Sequence, residues 1–116
     1  PFSPDYTDKI LFIEDVGESY YSIDRSLMHL KLSGVFEQIN GIIFGEFSNI
    51  STSDIEEVNK LTPLDIIKDT LSDLKKPAFY GFCCGHEDQK VTLPLGLTYF
   101  LDSDRCKLSI TEKYIN

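Results

Sequence analysis

The segment KILFIEDVGES, from Lys9 to Ser19, determines how the fold of this chain is interpreted. A short apolar run is followed at once by two acids, Glu14 and Asp15, and then by Gly17. Such a run between turn-forming residues is typical of a buried strand. In open α/β sheets, sites collect at the carboxyl ends of strands, which makes both acids candidates for a site. Spacing alone nevertheless favours acids that only solvate a strand end and start a turn.

A helix is predicted after this strand. Ser22 is the expected N-cap, and Ile23, Leu27 and Leu30 form one apolar stripe along the helix. Gly34 is expected to end the helix, because glycine readily adopts the left-handed conformation found there.

A second strand is predicted for GIIFGEF, from Gly41 to Phe47. Gly45 inside this run indicates a bulge or a close backbone approach. Glu46 follows as another acid at a strand end and is a further candidate site residue.

Two helices are predicted in the middle of the chain. A short one is expected over residues 54–59, because Ser53 and Glu56 match a capping box. A longer one is predicted to begin at Thr62, with proline at the first helical position, and to end before Pro77. Its apolar stripe consists of Leu64, Ile67, Leu71 and Leu74.

A third strand is predicted from Ala78 to Cys84, ended by Gly85 and followed by His86. Residues 90–96 and 97–102 are expected to be extended, and a final strand is predicted for 106–113. One face of that final strand is expected to carry Cys106, Leu108 and Ile110.

These elements add up to an α/β domain with a mixed sheet of about five or six strands. Two main helices are expected to pack on one side of the sheet.

Composition limits the partners of the chain. Its 116 residues include 19 acidic and 11 basic ones, for a net charge of −8. This charge argues against a nucleic-acid partner and against an acidic membrane surface. The sequence has no apolar run of the length of a membrane span. Its three cysteines lack the spacing of a disulfide framework or of a zinc site, which favours a cytoplasmic setting.

The opening PFSPDYTDK contains two prolines and no periodicity. Residues 1–8 are therefore expected to be the remainder of an interdomain linker, and the chain a part of a longer protein.

His86 is the candidate base, because a histidine beside a carboxylate can activate a nucleophile. Glu14 lies far from it in sequence, so only the fold can bring the two together. No serine has glycine on both sides, as a serine nucleophile elbow requires. A cysteine nucleophile, from Cys83 or Cys84, and a metal site remain alternatives. The metal site would be formed by Cys84, His86 and Asp88.

At ILFIEDVGESYYSIDRSL the chain resembles the carboxy-terminal domain of the LD-carboxypeptidase family of serine peptidases. The resemblance continues in order through LKLSGVFEQINGIIFGEF, TPLDIIKDTL, FCCGHED and VTLPLGL, and covers roughly residues 9–112. It implies a swivelling β/β/α-type domain. It also implies that Glu14 and His86 are the catalytic glutamate and histidine of a Ser-His-Glu triad.

The family resemblance implies hydrolysis of an amide between an L-centre and a terminal D-amino acid. The expected substrate is a murein tetrapeptide, which loses its last D-alanine during cytoplasmic peptidoglycan recycling. The serine belongs to an amino-terminal domain that these residues do not include, so the chain alone is expected to be inactive. No cofactor and no metal are expected, and the full-length protein is expected to be a homodimer.

Two substrate classes remain open within the family. The E-D-V-G-E sequence resembles the carboxypeptidase branch, whereas the doubled cysteine before Gly85 resembles a branch that inactivates microcin C-type antibiotics. A binding module that has lost the chemistry is a third alternative. Residues that bind the substrate are not identified, and the candidates are Asp15, Arg25, Glu46 and Gly85.

Overall fold

The computed structural model describes residues 3–50, 62–86 and 88–112. The helix expected over residues 54–59 lies outside this part. The described elements, in chain order, are β1 (Ile10–Val16), α1 (Tyr20–Leu32), α2 (Val35–Gln38), β2 (Gly41–Ser48), α3 (Pro63–Thr70), β3 (Ala78–Tyr80), β4 (Tyr99–Asp102) and β5 (Lys107–Ile110).

The strands are divided between two sheets. β1, β2 and β3 form a parallel sheet with β2 in the centre, and β4 pairs with β5 in an antiparallel sheet. The first five residues of β2 are all buried, as expected for a central parallel strand that is covered on both faces. The α/β class, a number of about five strands and the two main helices are confirmed among the described residues. The strands form one parallel and one antiparallel sheet, however, and not the single mixed sheet that was expected.

One face of the parallel sheet lies under the helices. Ile42 and Phe44 of β2 point to this face and pack with Leu27 of α1 and with Ile66 and Ile67 of α3. We call it the helix face. Because strand side chains alternate between faces, it takes every second residue of β2.

The opposite face carries Gly41, Ile43 and Gly45 of β2, and we call it the hairpin face. Leu101 of β4 lies directly over Gly41, at the amino end of the strand. A cleft of about 330 Å³ separates this face from the β4–β5 hairpin, with Phe12 among its lining residues. The hairpin face is thus packed against apolar side chains at the start of β2.

Helix α1 begins three residues earlier than predicted. Ser19, not Ser22, is the N-cap, and its hydroxyl accepts a hydrogen bond from the backbone N–H of Ser22 at 3.2 Å. The helix ends at Leu32, and Gly34 follows in the left-handed conformation with φ of 75°. The predicted helix-ending role of Gly34 is therefore confirmed.

Helix α3 begins where the sequence predicts and ends early. Thr62 and Asp65 form a reciprocal capping box, with Pro63 in the first turn. The helix stops at Thr70, so the predicted continuation to Pro77 is wrong. Ile66, which the predicted stripe omits, is one of its buried residues.

Two predicted strands are also shorter than expected. β3 ends at Tyr80, because the N–H groups of Gly81 and Phe82 both turn to the carbonyl of Phe44, each at 3.0 Å. β5 begins only at Lys107. Cys106 lies in the preceding turn with φ of 49° and does not share a strand face with Leu108 and Ile110.

Candidate active site

The candidate site lies at the carboxyl edge of the parallel sheet. Glu14 comes from the end of β1, and His86 comes from the loop that follows β3. Since parallel strands all finish at the same edge, the fold brings these two distant sequence segments side by side. Glu14 has the strand parity of Phe12 and therefore points to the hairpin face.

The two side chains form a hydrogen-bonded pair. Nδ1 of His86 lies 3.0 Å from Oε2 of Glu14. An ionised carboxylate can only accept, so the ring N–H at Nδ1 is the donor. In a neutral imidazole, this bond leaves Nε2 as the nitrogen with the lone pair, which is the state that a general base requires.

Burial differs between the two partners. The Glu14 side chain is 23% exposed and the His86 side chain is 58% exposed. The carboxylate is therefore held against the sheet, while the imidazole reaches toward solvent. A reacting group brought to this edge from outside the chain would meet the histidine first.

Gly85 is required by the geometry of the pair. Its φ of 146° is one that side-chain-bearing residues rarely adopt, and an added Cβ would lie 2.8 Å from Oε2 of Glu14. Gly85 thus lets the loop pass close to the carboxylate, which gives this residue a role in shaping the site.

Aromatic rings pack together on the hairpin face, to which Glu14 also points. The ring of Phe82 packs edge-on against Phe12, with centroids 6.2 Å apart, and against Phe79 at 6.0 Å. Phe12 and Phe79 were not singled out from the sequence. The available signal was the alternation in β1, where Phe12 lies two residues before Glu14 and shares its face.

The other acids at the strand ends have separate environments. Asp15 is exposed, and its Oδ1 accepts a hydrogen bond from the N–H of Val16 at 2.8 Å. Glu46 is also exposed and lies near Tyr80. Burial raises the pKa of Tyr80; a hydrogen bond with the backbone of Phe47 opposes this shift, and the Glu46 carboxylate adds to it.

Arg25 lies on the exposed surface of α1. Its guanidinium carbon is 5.4 Å from the centroid of the Tyr21 ring, which is a cation–π contact. The structure thus gives Arg25 a partner on its own helix.

All three cysteine thiols are free, with Cys83 exposed and Cys84 half-buried. Within the described ranges, no cluster of three or more His, Cys, Asp or Glu side chains has an arrangement able to hold a metal ion. The alternative metal site at Cys84, His86 and Asp88, all of them described, is therefore not formed. No helix in the described part is long and apolar enough to cross a membrane.

An α/β domain with a carboxylate–histidine pair at the carboxyl edge of its sheet has the arrangement of hydrolases that activate a nucleophile through histidine. The sequence profile described as "LD-carboxypeptidase C-terminal domain" matches residues 1–101. The chain therefore belongs to the LD-carboxypeptidase family and corresponds to its C-terminal domain, as the sequence motifs predicted.

Relatives in this family carry two kinds of name. The microcin C7 self-immunity protein MccF of Escherichia coli is 35% identical over 107 residues, which are 92% of this chain and 30% of the relative. The probable murein peptide carboxypeptidase of Bacillus subtilis is 33% identical over 96 residues, which are 83% of this chain and 30% of the relative. The chain thus spans about a third of the length of the relatives it matches.

Solved structures confirm the fold that the resemblance implied. MccF in complex with aspartyl sulfamoyl adenosine matches with a TM-score of 0.83 and 32% identity, covering 97% of this chain and 33% of that one. The muramoyltetrapeptide carboxypeptidase from Oxalobacter formigenes matches with a TM-score of 0.76 and 33% identity, covering 90% of this chain and 36% of that one.

Proposed function

We propose that this chain supplies the glutamate and histidine of a Ser-His-Glu triad in a serine LD-carboxypeptidase. The observation that carries the proposal is the 3.0 Å contact between Nδ1 of His86 and Oε2 of Glu14. In this assignment Glu14 is the orienter and His86 is the general base. The serine and its oxyanion hole come from a nucleophile domain that precedes this chain in the parent protein.

The geometry supports a separate catalytic role for each of the two residues. Glu14 holds the proton of His86 on Nδ1, so Nε2 can take the proton of a serine hydroxyl as the serine attacks the amide carbonyl. The imidazolium that forms is stabilised by the Glu14 carboxylate, and it returns the proton to the leaving amine. The exposed position of His86 suits a nucleophile that arrives from a separate domain.

The 116 residues alone are expected to be catalytically silent. A base and an orienter without a nucleophile and an oxyanion hole lack the groups that form and stabilise the tetrahedral intermediate. Activity is expected only in the two-domain protein, by which we mean this chain joined to its nucleophile domain. Residues 1–8 would then be part of the interdomain linker.

The proposed substrate is a murein tetrapeptide, from which the enzyme releases the terminal D-alanine. Support comes from the E-D-V-G-E segment and from relatives that are named as murein peptide or muramoyltetrapeptide carboxypeptidases. Such a peptide arises in peptidoglycan recycling, so we propose a cytoplasmic enzyme. A homodimer is the assembly expected of the full-length protein.

A second candidate is hydrolysis of a peptide-nucleotide antibiotic of the microcin C type. The similarity to MccF, 35% in sequence, and the Cys83–Cys84 pair before Gly85 favour it. Both candidates use the same Glu14–His86 pair and differ only in the substrate. A non-catalytic binding module of the same fold is the third candidate, and it would make no use of the pair.

One experiment separates these candidates. The two-domain protein and the isolated chain are each incubated with murein tetrapeptide and with aspartyl sulfamoyl adenosine, and products are followed by liquid chromatography and mass spectrometry. We expect D-alanine release by the two-domain protein and none by the isolated chain. Cleavage of the nucleotide alone would favour the second candidate. Hydrolysis by the isolated chain at an enzymatic rate, or no hydrolysis by the two-domain protein, would contradict the proposal.

A further inference from the structure

Gly45 of β2 is in unusually close contact with Glu14. A Cβ built on Gly45 would lie 2.7 Å from the Cβ of Glu14 and 3.0 Å from the carbonyl oxygen of Cys84. It would also lie 3.3 Å from the ring of Phe12. Any side chain at position 45 would therefore collide with the base of the Glu14 side chain.

Backbone conformation does not explain why this position is a glycine. The glycines with positive φ are Gly17, Gly34, Gly81, Gly85 and Gly96. Gly45 is not one of them, so its backbone is open to other residue types. The reason for glycine at position 45 is therefore the lack of space for a side chain, with Glu14 as the nearest group and the carbonyl oxygen of Cys84 and the ring of Phe12 next.

A β-bulge places Gly45 opposite Glu14. Ile13 pairs with Phe44, whereas Asp15 pairs with Phe47, so Glu14 faces the two residues Gly45 and Glu46. Bulges bend a strand locally and re-aim side chains at functional sites. Here the bulge coincides with the residue whose carboxylate contacts His86.

The Glu14 side chain is enclosed by two glycines. Gly45 lies against its Cβ, and Gly85 lies against its Oε2 on the loop that carries His86. A methyl group at position 45 would have to move either Glu14 or the backbone of Cys84. Either movement changes the separation between Glu14 and His86.

We propose that Gly45 is a positioning residue, which keeps the Glu14 carboxylate within hydrogen-bond distance of Nδ1 of His86 by presenting no side chain. The positional claim stands on the geometry of this chain. Its meaning for catalysis rests on the function proposed above.

Gly41 offers a matched control on the same strand and the same face. A Cβ at Gly41 would lie 2.7 Å from Cδ2 of Leu101 and 3.2 Å from the carbonyl oxygen of Pro77. The Gly41→Ala and Gly45→Ala variants therefore introduce collisions of similar closeness. The nearest group that the new methyl group would meet is the apolar side chain of Leu101 in Gly41→Ala and the side chain of Glu14 in Gly45→Ala.

The test is the tautomer of His86 in the 116-residue chain, measured by nitrogen-15 NMR of the imidazole rings at one pH above histidine titration. Gly45→Ala is expected to lower the ratio of the Nδ1–H to the Nε2–H tautomer by about fivefold, the effect of losing one hydrogen bond. Gly41→Ala is expected to leave the ratio unchanged. A folded Gly45→Ala variant with the original ratio would overturn the proposal, as would an equal change in Gly41→Ala.

A double-variant cycle keeps the test decisive where Gly45→Ala does not fold. Glu14→Gly removes the Cβ that the new methyl group would meet. Where Gly45→Ala does not fold, the Glu14→Gly background should restore its folding. Where it does fold, the shift in the urea midpoint that it causes should be smaller in the Glu14→Gly background, whereas the shift caused by Gly41→Ala should be the same in both backgrounds. Equal shifts for Gly45→Ala, or failure of the Glu14→Gly background to restore its folding, would overturn the proposal.

These readouts involve no substrate and are therefore independent of the proposed enzyme activity. Activity of the Gly45→Ala variant in the two-domain protein is then measured separately. If the tautomer ratio changes as expected and kcat does not, the positional claim stands and the proposed catalytic function fails.

Discussion

The two faces of strand β2 differ in what their side chains do. On the helix face, Ile42 and Phe44 are fully buried under α1 and α3. On the hairpin face, Gly41 and Gly45 leave room for groups from elsewhere in the chain, Leu101 at one end and Glu14 at the other. Ile43 lies between these two glycines and is also buried, so the hairpin face combines apolar packing with support for a polar site at its carboxyl end.

This difference indicates that different residues of the domain determine its stability and its candidate chemistry. Large side chains on the helix face bury apolar area, and their loss should reduce stability. The Glu14–His86 pair lies at an open edge of the sheet, where a partly exposed hydrogen-bonded pair contributes little to folding. Changes on the two faces should therefore produce different kinds of defect.

The largest effect is expected from removal of the histidine. His86→Ala in the two-domain protein should lower kcat by about 10⁴-fold or more, because the general base is lost. His29→Ala is the matched control, since His29 is the only other histidine of the chain and lies on the exposed side of α1. Steady-state kinetics with both variants checks the prediction. A loss of less than tenfold for His86→Ala, or an equal loss for His29→Ala, would contradict it.

The helix face can be tested with Phe44→Ala, which should lower the free energy of unfolding by about 3–5 kcal/mol. Phe44 is 1% exposed, so the variant leaves a cavity beneath the helices. Urea denaturation followed by circular dichroism measures the effect. The control is Phe100→Ala, at a residue that is 58% exposed, for which a change within about 0.5 kcal/mol is expected. Similar losses of unfolding free energy in Phe44→Ala and Phe100→Ala would contradict the prediction.

A smaller effect is expected at the start of the helix that covers the same face. Thr62→Ala removes the hydroxyl that accepts from the N–H of Asp65 at 3.2 Å, and should cost about 1 kcal/mol of stability. Thr92→Ala, at an exposed loop position, is the control and should be nearly neutral. Thermal or urea unfolding of both variants suffices. Equal midpoints for the two variants would show that the capping box contributes nothing measurable.

The smallest effect is expected for the pH dependence of the stability that Asp65 contributes to this capping box. Hydrogen bonds from the hydroxyl and the backbone N–H of Thr62 lower the pKa of Asp65 below its ordinary value of 3.8, and Lys68 adds to the shift. A lowered pKa in the folded state stabilises the fold above the ordinary value, and this contribution is lost as the pH falls through the folded-state pKa. The stability difference between the wild type and Asp65→Asn should therefore shrink below about pH 4. A difference that stays constant from pH 6 to pH 2 would be inconsistent with this origin.

Local sequence signals were reliable where one chemical reason determines the structure. Thr62 and Pro63 marked the start of α3, Gly34 followed the end of α1, and Gly45 indicated the bulge in β2. Each depends on capping, on a left-handed backbone or on a close approach, and all of these act over a few residues.

Other features could not be selected from the sequence pattern alone. Ser19 and Ser22 both suit an N-cap, and only the structure identifies Ser19 as the one that accepts the hydrogen bond. The early end of β3 depends on hydrogen bonds from Gly81 and Phe82 to the carbonyl of Phe44, a residue of another strand. Sequence pattern cannot contain that information.

The candidate site shows the same limit. The acids at the strand ends and the histidine could be named from the sequence, but spacing could not select Glu14 over Asp15 or Glu46. The family resemblance selected Glu14, and the contact with His86 at 3.0 Å agrees with that selection. The steric role of Gly45 became visible only when its distance to Glu14 was known.

The central claim is that the Glu14 carboxylate orients His86 for catalysis. The most direct test is kcat of Glu14→Gln in the two-domain protein, compared with Glu18→Gln, which changes an exposed acid in the loop after β1. We predict a loss of about 10⁴-fold for Glu14→Gln, because the amide no longer fixes the tautomer or stabilises the imidazolium, and no loss for Glu18→Gln. Equal kcat values for the two variants would contradict the claim.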